Sequence, residues 1–218
     1  MTFTGGIGKV AGAIIDRIVR WLALSRIHPN VLTFIGLVIN IWAACLFATG
    51  DFRWAAVVII GAGLFDMVDG RVARASNRVT RFGGFFDSVL DRYSDLALLM
   101  GLLVYYASIN RYWYIVLTAV VMTASVMVSY ARARAENTIP KCKVGFLERP
   151  ERVVLIIIGA LFGRMAQVLW VIAILGNLTV IHRMIYTFQE AKRLEDAQLR
   201  APGAREPVNP KPEKAKLH

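Results

Sequence analysis

Four aspartates lie at fixed spacing in strongly apolar sequence: Asp66-x-x-Asp69-Gly70-x-x-Ala73-Arg74, eight residues, then Gly83-x-x-x-Asp87-x-x-x-Asp91. A carboxylate at membrane depth is costly unless paired, hydrated or metal-bound, so four at helical spacing require a shared partner. Steps of three and four residues put Asp66, Asp69, Gly70 and Ala73 on one helical stripe, and Gly83, Asp87, Asp91 and Asp95 on a stripe of the next helix. Facing one another unneutralised, these carboxylates would repel. A pair of hard divalent cations is the simplest remedy, and an all-oxygen donor set selects Mg²⁺, Mn²⁺ or Ca²⁺ over zinc. Gly70, Ala73 and Gly83 leave room for a bulky ligand beside the backbone, and Arg74 offers a fork for phosphate. Together these features describe phosphoryl-group chemistry of the two-metal kind. The competing reading is a set of structural ion pairs with Arg71, Arg78, Arg81 and Arg92. Asp95 is left out of the metal set, as a partner for Arg92 or another buried donor.

The elements that must position these groups are membrane helices. Of the 218 residues, 56% are hydrophobic, and they gather into runs near the ~20 residues a span requires. The expected fold class is all-α: a polytopic membrane protein with six transmembrane helices at about 31–50, 54–75, 84–107, 113–134, 150–163 and 166–188. The fifth is short for a span. A soluble domain does not carry so many such runs. Before them, Ile7, Val10, Ile14, Ile18 and Trp21 form one stripe with Lys9, Asp16 and Arg20 opposite, so residues 1–30 are read as an N-terminal interfacial amphipathic helix. His28-Pro29-Asn30 breaks it, and Asn30 is expected to cap the first span. The membrane domain covers 31–190. The segment 191–218, charged and bearing Pro202, Pro207, Pro210 and Pro212, is expected to be a disordered basic tail.

Of the 26 Lys and Arg residues, 22 fall on one side of these spans, which places both termini and the aspartates at the cytoplasmic face of the cell membrane. The net charge of +11 then suits anionic membrane lipids and anionic substrates and calls for no nucleic acid. Cys45 and Cys142 are too few and too separated for a disulfide framework or a zinc site.

A second basic cluster lies at the same depth. Ser129-Tyr130-Ala131-Arg132-Ala133-Arg134-Ala135-Glu136 closes the fourth span and Glu148-Arg149-Pro150-Glu151-Arg152 opens the fifth. Four guanidinium groups near a metal site suit an acceptor that itself carries phosphate, with Ser129 beside Arg132 and Arg134, and Arg183 closing the pocket. The plainer alternative is a solvated basic belt with Glu148 and Glu151 as partners.

The run from Asp66 to Asp91 resembles the signature of the CDP-alcohol phosphatidyltransferase family at all eight fixed positions, with the permitted gap before Gly83. The resemblance implies a definite chemistry: CMP displaced from a CDP-linked lipid or alcohol, and the phosphoryl group joined to an incoming hydroxyl. It further implies that Asp66, Asp69, Asp87 and Asp91 ligate two Mg²⁺ or Mn²⁺ ions, with Asp91 also the general base. Asp66, Gly70, Ala73 and Arg74 would hold the nucleotide. Asn30 and Thr33 resemble a Pro-Asn/Asp-x-x-Thr element on the nucleotide side, and equally read as a helix start. The stretches Ser129–Glu136 and Glu148–Arg152 are similar to the branch that makes phosphatidylinositol phosphate or archaetidylinositol phosphate. CDP-diacylglycerol is therefore the expected donor, inositol 1-phosphate the preferred acceptor and glycerol 3-phosphate the alternative. A homodimer is also implied. A divalent-cation transporter would explain the buried acids but not Gly70, Ala73, Arg74 or the arginines.

Overall fold

A computed structural model describes residues 29–75 and 80–200, with side chains over 30–66 and 80–197. The described residues form six helices: α1 Pro29–Thr49, α2 Phe52–Ala75, α3 Arg81–Ser108, α4 Tyr112–Ala135, α5 Arg149–Leu161 and α6 Met165–Arg200. Each coincides with one of the six apolar runs. The amphipathic helix expected over 1–30 lies almost wholly outside the described residues.

Three boundaries differ from expectation for local reasons. α1 already includes Pro29, the first described residue, so Asn30 lies within the helix and does not cap it. α3 starts at Arg81 because the Thr80 hydroxyl accepts the Gly83 N–H at 2.9 Å, satisfying one of the orphan donors of a first turn. α6 continues through Arg200, which corrects the disordered tail expected from residue 191. Residues 191–200 are good helix formers with no proline before Pro202. Ala191 and Leu194 also pack against Ala135, Ile139 and Cys142.

α1, α4 and α6 are long and apolar enough to cross a membrane. α2 and α3 have the length, at 24 and 28 residues, but carry the charged stripes. α5 has only 13 residues, a rise of ~20 Å against a hydrocarbon core of ~30 Å.

Helix contacts close into a ring. α1 packs on both α2 and α3, α3 on α4, α4 on α6, α6 on α5, and α5 back on α2. Along α1, Leu32, Gly36, Asn40, Ala43 and Phe47 are buried, whereas Val31, Phe34, Val38, Ile41 and Trp42 face outward. This exposed apolar band is larger than water tolerates on a monomer and matches lipid. Where α1 and α3 cross, a Cβ on Gly101 would lie 2.8 Å from the Ala44 carbonyl carbon and 2.9 Å from its Cα, so only glycine permits that approach. Phe47, Leu102, Tyr106, Leu117, Ala160 and Met165 fill the interior at the end where α1, α3 and α5 stop. The opposite end, holding the C-terminal part of α2, the start of α3 and the connection from α4 to α5, is polar.

Candidate active site

At that polar end the acidic stripes flank a gap. Among the described residues α2 and α3 pack along α1 and barely on each other, so a gap separates the two acidic edges. α1 forms the floor between them. A Cβ on Gly36 would stand 2.8 Å from Asp66 Oδ1, so the carboxylate rests against bare backbone, and Asn40 Nδ2 donates to Gly36 O at 3.0 Å. Asn30 Oδ1 lies 3.5 Å from where a Gly83 Cβ would be. That brings the start of α1 beside the start of α3; Thr33, one turn along α1 from Asn30, is half-buried.

Into the gap comes Arg149, the first residue of α5. Its Nη1 is 3.1 Å from Asp91 Oδ1, its Nε 3.3 Å from Asp95 Oδ1 and its Nη2 3.8 Å from Asp66 Oδ2. Arg152, one turn on and only 4% exposed, brings Nη2 to 2.6 Å from Asp95 Oδ2. Asp87 is exposed and within electrostatic reach of both Asp66 and Asp91. Asp95 is thus the partner of a buried donor, as one of its two expected roles required. That donor is Arg152 and not Arg92, whose Nη1 donates to Ser88 O within its own helix. The side chains of Asp69, Gly70, Ala73 and Arg74, like those of Arg71 and Arg78, lie outside the described residues.

The donor set fits a divalent cation. Among the described residues Asp66, Asp87, Asp91 and Asp95 face the two guanidinium groups of Arg149 and Arg152, which leaves an excess of negative charge on oxygen-only ligands in a half-buried cleft. Such an excess attracts a hard cation. No three His, Cys, Asp or Glu side chains among the described residues close into a cage; Arg149 stands in the space between the acids.

The predicted acceptor residues divide. Arg132 donates from Nε to Glu136 Oε1 at 3.1 Å and from Nη1 to Glu148 Oε1 at 3.0 Å. Ser129 is half-buried one turn before it on the same flank. Arg149 and Arg152 stand on the acid side of this cluster, with Arg152 Nη1 buried and without a protein partner. Arg183 is 2% exposed and engaged by protein: Nε donates to Val144 O at 2.8 Å, Nη1 to Val128 O, and Nη2 to Glu148 Oε1 at 3.2 Å. It braces the wall where pocket closure was expected. Arg134 lines a cleft of about 510 Å³ together with Met127, Tyr130, Arg183, Met184 and Phe188. The cleft thus joins Arg134 with Arg183, and neither Arg149 nor Arg152 lines it. Glu148 does serve as a basic-cluster partner, whereas Glu151 accepts the Glu148 N–H at 2.9 Å and completes a capping box on α5.

Two residues escaped sequence reasoning. Gly36 floors the acid gap, and the stripe Asn30, Thr33, Gly36, Asn40 at helical spacing through apolar α1 was the available signal. Thr179, fully buried on α6, accepts the N–H groups of Phe146 and Leu147, each at 3.1 Å, and so latches the segment that leads into Arg149. Gly145, at φ +143°, lies directly before that latch; a Cβ there would be 2.7 Å from Thr179 Cγ2. A hydroxyl in mid-span is a weak sign, since Thr179 also donates to Leu175 O at 2.7 Å as any helical threonine can.

Comparison with known proteins agrees with this geometry. The CDP-alcohol phosphatidyltransferase family model matches residues 26–187. The archaetidylinositol phosphate synthase of Methanothermobacter thermautotrophicus is 35% identical over 184 residues, covering 82% of this chain and 90% of its own. That of Pyrococcus horikoshii is 36% identical over 182 residues, covering 83% and 93%. Among solved structures, Mycobacterium tuberculosis phosphatidylinositol phosphate synthase with CDP-DAG bound superimposes with a TM-score of 0.76 at 28% identity, covering 90% of this chain and 98% of that one. The same enzyme in complex with manganese and citrate gives 0.75 at 29% identity, covering 89% and 93%. A family match over most of the chain, relatives above 30% identity across nearly their whole length, and two acidic helix edges converging on one cleft establish that the chain belongs to the CDP-alcohol phosphatidyltransferase family.

Proposed function

We propose that the protein transfers the phosphatidyl group of CDP-diacylglycerol to inositol 1-phosphate, releasing CMP and forming phosphatidylinositol phosphate. The observation that carries this reading is the meeting of Asp66 from α2 and Asp91 from α3 on one guanidinium, Arg149, above the Gly36 backbone. The names of the archaeal and mycobacterial relatives support the choice of acceptor. In the reaction an inositol hydroxyl oxygen bonds to the lipid-side phosphorus while the bond from that phosphorus to the bridging oxygen breaks, and CMP leaves with the bridging oxygen. The hydroxyl proton goes to Asp91, a half-buried carboxylate suited to the role of general base. Two Mg²⁺ or Mn²⁺ ions held by Asp66, Asp69, Asp87 and Asp91 would neutralise the pyrophosphate and the departing CMP. Asp66, Gly70, Ala73 and Arg74, with Asn30 and Thr33 from α1, hold the nucleotide. Ser129, Arg132, Arg149 and Arg152 take the acceptor phosphate.

All six helices cross the cell membrane in this reading, α5 with the polar residues before it, and the cleft opens at the cytoplasmic leaflet where the donor enters from lipid. The protein works as a homodimer. Purified protein incubated with CDP-diacylglycerol, Mg²⁺ or Mn²⁺ and labelled inositol 1-phosphate should release CMP and label lipid. Absence of CMP release would end the reading; release with glycerol 3-phosphate alone would move it to that acceptor.

A further inference from the structure

Arg149 is spent twice. The transfer proposed above needs its guanidinium on the acceptor phosphate, yet the structure ties it at 3.1–3.8 Å to Asp66, Asp91 and Asp95, the first two of which are needed for metal. One side chain cannot serve both, because its guanidinium engages the Asp66 and Asp91 oxygens that would ligate a divalent cation and carries a charge of the same sign. From this conflict we infer that Arg149 is a built-in counter-ion that divalent metal displaces, and that its displacement completes the acceptor-phosphate site.

The surroundings permit such an exchange. Arg149 is 30% exposed, so its head can swing without opening the core, and as the first residue of α5 it carries that head on a flexible three-methylene stem above a fixed helix start. Asp95 does not lose its charge partner when Arg149 leaves, since Arg152 remains at 2.6 Å. Arg132 donates to Glu148 Oε1 at 3.0 Å, which puts a second guanidinium next to the residue that precedes Arg149. Without metal the guanidinium keeps the acids from repelling one another. With metal it is driven toward the incoming anion. Metal binding and acceptor binding are therefore coupled through one arginine, and by linkage each must tighten the other equally.

The inference rests on the metal-dependent reading, and Mn²⁺ binding separates the two. The purified full chain, its Arg149→Gln variant and its Arg149→Lys variant are titrated with Mn²⁺ alone, then again with inositol 1-phosphate present, by calorimetry and by thermal shift. Loss of the competing cation should tighten Mn²⁺ binding by Arg149→Gln about tenfold or more, as removal of a like charge at contact distance requires. Arg149→Lys should bind Mn²⁺ as the native protein does. Inositol 1-phosphate should tighten Mn²⁺ binding in the native protein, and markedly less in Arg149→Gln. Should Arg149→Gln be unstable without metal, its melting temperature should rise more with Mn²⁺ than that of the native protein, which reports the same competition. Unchanged or weaker Mn²⁺ binding in Arg149→Gln, with the native protein binding normally, would overturn the inference and leave the transferase reading standing. Failure of both proteins to bind Mn²⁺ would overturn both.

Discussion

Thr179 offers the sharpest test of how the site is held. Its hydroxyl oxygen accepts two consecutive amides, Phe146 and Leu147, at 3.1 Å each, in a place where Thr179 is 0% and Leu147 2% exposed. Thr179→Val replaces the hydroxyl with a methyl of nearly the same volume, so packing survives while both amides lose their acceptor. A buried N–H left unpaired costs about 1–3 kcal/mol, a cost that falls in full on the buried Leu147 amide and only in part on the part-buried Phe146 amide while the segment is held in place. The segment can instead lift into water, forfeiting the stack of Phe146 on His182 at 5.2 Å and the Arg183 bond to Val144 O. The expected penalty is then the smaller of the two, about 1–3 kcal/mol. Either response shifts the start of α5, and with it Arg149 and Arg152. Because displacement of a positioning group by about 1 Å can cost about 100-fold in rate, the acceptor KM should rise at least tenfold while the CDP-diacylglycerol KM changes little. Thr179→Ser keeps the hydroxyl and should restore most of the acceptor KM. Melting curves in detergent and separate titrations of the two substrates decide the matter. An unchanged acceptor KM in Thr179→Val, or equal damage in Thr179→Ser, would refute the latch.

Other substitutions probe neighbouring parts of the same construction. Asp91→Asn should lower CMP release by about 100-fold or more, the usual worth of a positioned base, while equilibrium binding of CDP-diacylglycerol is largely spared. Gly36→Ala puts a methyl 2.8 Å from Asp66 Oδ1; it should lower kcat and weaken Mn²⁺ binding with little change in melting temperature, because the carboxylate and not the backbone gives way. Gly101→Ala drives a methyl into the Ala44 backbone and should cost about 1–3 kcal/mol of stability, as overpacking does, with the KM values of the folded fraction unaltered. Arg152→Ala should raise the acceptor KM far more than Arg134→Ala, whose guanidinium opens on a separate cleft; equal effects would place Arg134 back in the acceptor site.

The helices were readable because membrane burial writes itself into long apolar runs, and Asp66, Asp87 and Asp91 stood out because charge there has few excuses. Tertiary partners were harder. Arg149 and Arg152 were visible as phosphate-ready arginines, but nothing local says that α5 packs on α2 and so delivers them to the acids of α2 and α3. Arg134 shows the limit of reasoning from density. It lies two residues from Arg132, and two residues on a helix turn a side chain through about 200°, so counting arginines by depth merged two faces of α4. The helix over 191–200 is hidden in a composition averaged over 28 residues, although nine of those ten residues are good helix formers and no proline precedes Pro202.

The shortness of α5 has a functional reason that follows from the same geometry. A helix of 13 residues cannot match its neighbours end to end, so one of its termini must fall inside the bundle. Its C-terminal end is fixed near the turn to α6 by Gly159, where a Cβ would meet Val168 at 3.0–3.1 Å. The N-terminus is therefore the end that stops short, and the chain arrives there through 136–148, with Ile139, Cys142 and Leu147 buried to pin the path. Stopping short sets the first turn of α5 level with Asp66, Asp91 and Asp95, which is why Arg149 at position one and Arg152 one turn later both reach acids. It also aims the positive end of the helix dipole into the cleft where carboxylates and phosphates gather. A full-length span would carry both arginines and that dipole past the acids toward bulk water. The truncated helix, its capping box and the Thr179 latch thus act together to hold cationic groups at one depth in the bundle.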